Sequence, residues 1–251
     1  MSTKRLASAW EAHGHADPYW AIIPADGTAG GRWDVEAFFR SGEADVSGIL
    51  DQATEVGLTI SLRRALDFGC GVGRLTQALA VRFDEVVGVD VAASMLALAA
   101  EHNRAPGRCS YLQSESADLE SLPNDSFDFI LSLIVLQHIP PATTRQLLGA
   151  FVRVLAPGGV LAFQYTGRRT SRLRRASAPA RRAVMAVLPE RLGNALYKRL
   201  TGRLAPIEMF GMAPSRVKRL LEGHGARVVG VVPDQSSQEL ESFRYFVTKD
   251  L

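Results

Sequence analysis

The stretch Asp67-Phe68-Gly69-Cys70-Gly71-Val72-Gly73 follows a short apolar run, Arg64 to Phe68, and leads into a helical pattern from about Gly73 to Arg82. A strand that turns into a helix through alternate glycines lets a ligand approach the backbone, because no side chains intervene, and it aims helix amides at that ligand. A dinucleotide fingerprint requires glycine at position 74, where this chain has Arg74. The glycine spacing therefore disfavours NAD or FAD.

Working outward, Glu85 to Asp90 reads as a second strand, Ala93 to Asn103 as a helix, and Cys109 to Gln113 as a third strand. Phe127 to Ser132 is the fourth strand and Ala142 to Leu155 the next helix. Pro157-Gly158-Gly159 then punctuates the turn into Val160 to Tyr165. Helix Ser215 to His224 precedes strands Ala226 to Val232 and Phe243 to Lys249, which are expected to form an antiparallel edge pair because no helix pattern separates them. Strands alternating with helices predict a doubly wound, mostly parallel α/β sheet with helices on both faces and a ligand beyond the strand carboxyl ends. Residues 1–57, rich in Trp, Tyr and Gly before a helical stripe through Val35, Phe38, Phe39, Val46, Ile49 and Leu50, read as an N-terminal arm with helices. Residues 58–251 form the main domain.

An acid two residues before Gly-x-Gly-x-Gly on a strand-turn-helix resembles the first motif of the class I, Rossmann-like S-adenosylmethionine-dependent methyltransferases. Ser126-Phe-Asp-Phe-Ile-Leu-Ser132 resembles that family's fourth strand, and Arg153-Val-Leu-Ala-Pro-Gly-Gly-Val its turn into the fifth. The resemblance covers roughly residues 63–165, more weakly 214–248, and implies seven strands in the order 3-2-1-4-5-7-6. It implies S-adenosylmethionine as cofactor and S-adenosylhomocysteine as product. By position, Gly69, Cys70 and Gly71 hold the methionine portion, with Asp67 near its ammonium group directly or through water, and Phe68, Gly73 and Arg74 are counted with them as cofactor-binding residues. Asp90, closing the second strand, can accept hydrogen bonds from both ribose hydroxyls. Val91 and Met95 pack against ribose and adenine, and Leu133 lies along the cofactor beyond the fourth strand. Glu115 with Ser116 is favoured for adenine recognition, Asp118 being the alternative.

Methyl transfer from a sulfonium is an in-line displacement, so alignment supplies much of the acceleration and no conspicuous catalytic residue is required. For a hydroxyl acceptor a general base helps, and His138, just past the fourth strand, is the candidate. Its competing role is to hold the Pro140-Pro141 turn. His13 and His15 lie in the aromatic arm, while His102 and His224 read as surface helix residues. No Cys/His cluster has metal-ligand spacing, so no metal is expected. Leu133-Ile134-Val135 after Ser132 replaces the Pro-Pro-aromatic signature of nucleic-acid amino methylation, which disfavours DNA as partner.

The overall charge of the 251 residues is +3, yet residues 166–205 carry ten Arg, one Lys and one acid, so this segment holds +10 and the remainder −7. Residues 166–213 read as a basic helical lid insert with a leucine stripe. It is suited to shaping an acceptor pocket, to holding an anionic or lipid-linked acceptor, or to resting on a membrane surface. Gripping RNA or an acidic protein is a second reading, and a noncatalytic cofactor-binding protein a third. With no apolar run behind Lys4 and Arg5, no secretory signal is read and a cytoplasmic protein is expected.

Overall fold

A computed structural model describes residues 3–169, 208–234 and 240–250. The N-terminal arm forms helices α1 (Thr3–Ala16), α2 (Pro18–Ile22) and α3 (Val35–Glu55). Then come β1 (Arg64–Phe68), α4 (Arg74–Ala80), β2 (Glu85–Asp90), α5 (Ala93–Glu101), β3 (Cys109–Gln113) and β4 (Phe127–Ser132). A single 3₁₀ turn, Leu136–His138, leads to α6 (Pro141–Val154) and β5 (Leu155–Arg169). The chain ends with α7 (Pro214–Gly223), β6 (Ala226–Asp234) and β7 (Leu240–Lys249).

The seven strands stand in the order β3-β2-β1-β4-β5-β7-β6. The first five run parallel, and β7 lies antiparallel between β5 and β6. Burial on both faces explains why the central strands are continuous apolar runs, with all six residues of β4 buried. Successive side chains alternate between the faces. Leu66, Val87, Ile130 and Phe163 meet Leu148 and Phe151 of α6 and Leu221 of α7. Ala65, Val86, Phe129 and Ala162 meet Ile49 of α3 and Leu79 of α4. A third cluster joins the arm to the sheet's carboxyl end through Phe38, Phe39, Val72, Ala92 and Met95.

Local signals set the helix ends. The Asp34 side chain accepts the Ala37 N–H at 2.7 Å and starts α3, while Pro141 and Pro214 occupy the first turns of α6 and α7. Gly42 of α3 lets that helix approach α4, since a Cβ there would lie 2.6 Å from the Arg74 carbonyl oxygen. Two boundaries differ from the sequence reading. Pro157-Gly158-Gly159 is a register shift inside β5 rather than a turn before it, with Gly158 at φ 73°. β5 also continues to Arg169, so Thr166 to Arg169, read as the beginning of the insert, are strand. The insert's expected helices lie outside the described residues. Its return is tied down, because Phe210 N–H donates to the Gln137 carbonyl at 2.6 Å and Met212 N–H to the Thr166 carbonyl at 2.9 Å.

The chain crosses from one side of β1 to the other between β3 and β4. This leaves a crevice beyond the carboxyl ends of β1 and β4, as expected at such a switch of strand order.

Candidate functional site

That crevice opens into a cavity of about 1170 Å³, its open mouth included. The glycine turn forms its floor. Gly69 and Cys70 both donate their backbone N–H to the Val89 carbonyl, at 2.7 and 3.0 Å, which ties the turn to β2. Gly69 and Gly71 adopt φ of 77° and 54°. A Cβ at Gly69 would meet Val135 Cγ2 at 2.3 Å, and one at Gly71 would meet Ile22 Cδ1 at 2.7 Å. Both positions therefore need glycine for conformation and for space. Gly73 lies underneath, as the N-cap of α4 against Tyr111, and is not among the cavity-lining residues.

Asp90 closes β2 at the cavity wall. Its Oδ2 accepts the Gly71 N–H and its Oδ1 the Ala92 N–H, both at 2.9 Å, so each oxygen keeps capacity for one further donor. Burial raises its pKa, against the pull of those amides. Asp67, by contrast, points beneath the turn. It is 1% exposed and accepts the Thr76 hydroxyl at 2.7 Å, and it does not line the cavity. Burial pushes its pKa up to about 6. Arg74 lines the cavity, yet its guanidinium turns to α3, where Nη1 donates to Asp45 at 2.7 Å and Ser41 at 3.0 Å.

Beyond β3, Glu115 and Ser116 reach the cavity with Ser114 and Ala117. Asp118 does not, because its Oδ1 accepts the Ser116 hydroxyl and the Glu120 N–H, and the Ser116 bond holds its pKa low. Arg153 of α6 buttresses this loop. It donates to the carbonyls of Asp118, Leu119 and Leu122 at 2.8 to 3.0 Å, and to Asn124 Oδ1 at 2.6 Å. Arg153 belongs to a motif quoted above, but nothing in its spacing points to this contact. Phe68, Val91, Met95 and Leu133 complete the expected cavity lining.

The other half is apolar and was not legible residue by residue. Leu6 and Trp10 of α1 and Ala21 and Ile22 of α2 cover it, opposite Ile139, Thr143 and Leu147. α1 is held by Glu11, whose carboxylate accepts the Ser94 N–H at the start of α5, at 3.2 Å. His102 corrects an expectation. Rather than a plain surface residue, its ring bonds the Tyr19 hydroxyl at 2.7 Å and lies 5.7 Å from the Phe39 ring, joining the arm to α5. His138 lines the cavity with the Trp10 ring edge-on at 5.4 Å, and burial lowers its pKa to about 4. Its neighbour Ile134 has φ 63°, an uncommon conformation for a β-branched residue. Among the described residues no group of three or more His, Cys, Asp or Glu could hold a metal ion, and no helix is long and apolar enough to cross a membrane.

Residues 65–159, which include the glycine turn, Asp90 and the post-β3 loop, match the family model described as a methyltransferase domain. Over these residues the chain matches a methyltransferase domain, and its motifs resemble the class I S-adenosylmethionine-dependent methyltransferases. The chain is 30% identical over 138 residues to the ubiquinone biosynthesis O-methyltransferase of Methylococcus capsulatus, covering 54% of the chain and 56% of that protein. The protein of the same name from Pseudomonas syringae is 29% identical over 137 residues, covering 54% and 58%. The chain thus spans a little over half the length of the curated relatives it matches. Among solved structures it superimposes on magnesium protoporphyrin IX methyltransferase from Synechocystis with bound SAH, at a TM-score of 0.62 and 15% identity, over 99% of both chains. A methyltransferase from Mesorhizobium loti gives 0.56 at 16% identity over 82% of this chain and 99% of that one. At these identities the superpositions establish the fold, and the strand order implied by the resemblance is the one observed.

Proposed function

We propose that the chain binds S-adenosylmethionine along the glycine turn and Asp90 and transfers its methyl group to an oxygen of a small, largely apolar acceptor held beneath α1. One observation carries this reading: a single cavity joins a polar wall suited to the cofactor with an apolar wall suited to an acceptor. The polar residues fit the cofactor's groups. Gly69 and Gly71 leave the backbone open, Asp90 retains two acceptor positions for a ribose diol, and Glu115 and Ser116 stand where an adenine edge would be read. Met95, 2% exposed, supplies an apolar contact beside them.

The sulfonium of S-adenosylmethionine supplies an electrophilic methyl group, so the protein's task is to align the acceptor oxygen and keep water away. Leu6, Trp10, Ile139 and Leu147 provide the apolar walls. Asp67 supports the turn from below and has no direct contact with the cavity. Oxygen as the methylated atom draws support from the relatives' names as O-methyltransferases. An anionic or lipid-linked acceptor, with the basic insert as its guide, and a cytoplasmic setting belong to the same reading.

The test is methyl transfer from radiolabelled S-adenosylmethionine to separate panels of hydroxylated aromatic and carboxylic small molecules, RNA and acidic protein. Label in a small-molecule panel supports the reading. Label confined to RNA or protein would replace it with a macromolecular acceptor.

A further inference from the structure

A buried chain of hydrogen bonds runs from β6 and β7 to the cavity wall, and its direction is fixed at both ends. At the cavity end the backbone N–H of Ile134, which can only donate, meets Gln164 Oε1 at 3.1 Å. At the far end Ser242 Oγ donates to Asp234 Oδ2 at 3.2 Å, and Asp234 is ion-paired through Oδ1 with Arg244 at 2.9 Å. The Ser242 oxygen is thereby left to accept. Gln164, 1% exposed, satisfies both ends in one orientation only, with its carbonyl toward Ile134 and its NH₂ toward Ser242.

The same NH₂ group donates to Gln137 Oε1 at 3.3 Å, which turns the Gln137 NH₂ toward His138 Nε2, 3.2 Å away. An amide NH₂ donates and does not accept, so this ring nitrogen must be the acceptor. A neutral imidazole that accepts at Nε2 carries its proton on Nδ1. Among the described residues no group bonds the buried Nδ1.

We propose that Gln164, acting through Gln137, is a positioning residue that holds His138 in its Nδ1–H form, with its one lone pair taken up by Gln137, so that the ring does not serve as a general base. Burial, reinforced by nearby His13, keeps the ring neutral around pH 7. A ring in this form, its Nε2 already engaged by Gln137, offers an acceptor no free lone pair to take a proton. For the acceptor, this consequence rests on the methyl-transfer reading above. The fitting class is an oxygen that is already anionic, a carboxylate or an acidic phenol. That anion forms the new O–C bond while the C–S bond breaks and its electron pair passes to sulfur. No proton then needs a base.

Long-range ¹H–¹⁵N correlation spectra of protein labelled with ¹⁵N-histidine at pH 7, assigned with a His138→Phe variant, read the tautomer directly. The expected spectrum shows Nδ1 protonated and Nε2 bare. Gln164→Glu still accepts from Ile134 but cannot donate, so Gln137 should reverse, present its carbonyl to His138 and move the ring proton to Nε2. Gln137→Leu removes only the last link and should leave a mixture of tautomers. A wild-type ring protonated on Nε2, or a Gln164→Glu spectrum unchanged from wild type, would overturn the proposal. If Gln164→Glu does not fold, the wild-type and Gln137→Leu spectra decide. Cofactor binding measured on the same samples separates this outcome from failure of the methyltransferase reading.

Discussion

The cavity's two halves are assembled differently. Over β1 and β2, the glycine turn, Asp90 and the amides that hold them lie within one strand-helix-strand unit. Gly71 and Ala92 donate to Asp90, and Gly69 and Cys70 to Val89. Beneath α1, the wall combines Leu6 and Trp10 from the start of the chain with Thr143 and Leu147 from α6, and its contacts are mostly apolar. The first half is polar and tied together by backbone hydrogen bonds. The second depends on α1 staying docked through contacts such as Glu11 to Ser94. On the proposed reading, the first half holds the cofactor and the second the acceptor.

Substitutions in the first half should weaken cofactor binding, while those in the second should spare it. The largest effect is expected for Gly69→Val, which adds a side chain at positive φ into space occupied by Val135. Calorimetry should show cofactor affinity weakened by ~100-fold or more, as strain and overlap of ~3 kcal/mol require. Gly48→Ala on α3, where a Cβ meets nothing, is the control and should leave affinity unchanged.

Asp90→Ala should weaken binding by ~10- to 100-fold, the loss of hydrogen bonds to a charged group. It should also cost ~1–3 kcal/mol of stability in urea titration, because the Gly71 and Ala92 amides lose their acceptor. Equal affinity in this variant would remove Asp90 from the cofactor wall. Trp10→Ala on the opposite side should raise the acceptor KM by ~10-fold through lost apolar contact and leave cofactor Kd within ~2-fold. A parallel loss of cofactor affinity would merge the two halves.

The last effect concerns pH. Asp67 has its folded pKa raised to about 6, so it favours the folded state while protonated and this contribution is lost as pH rises from ~4 to ~6. His138, lowered to about 4, acts oppositely: its contribution is present above its ordinary pKa and is lost as pH falls from ~6.5 to ~4. The two nearly cancel in wild type. Asp67→Asn removes the first contribution, so its stability by urea unfolding should climb relative to wild type by roughly 1.4 kcal/mol per pH unit between about 4.5 and 6. A difference that stays constant over this range would show that Asp67 is not buried in this way.

The same contrast explains how much the sequence disclosed. β2, β3 and β4 are where their apolar runs end in turn residues, and the glycine turn follows from spacing alone. Eleven of the thirteen residues assigned to the cofactor line the cavity. The exceptions, Asp67 and Gly73, are close in sequence but directed beneath the turn, a difference of side-chain direction that spacing does not encode. Glu115 is favoured over Asp118 from sequence, and it is Glu115 that reaches the cavity, while the Ser116 hydroxyl and the Glu120 amide occupy Asp118. Gln164 sits in an apolar strand with no motif around it, and its role depends on Ile134 and Ser242 being brought together by strand order. Leu6 and Thr143 likewise meet the site only through tertiary packing.

Calorimetric titration of the purified chain with S-adenosylmethionine and S-adenosylhomocysteine, with NADH as control, tests the central claim most directly. Saturable binding of the first two, weakened by Gly69→Val, and none of NADH is the expected result. Failure to bind either, or binding of NADH in their place, would contradict it.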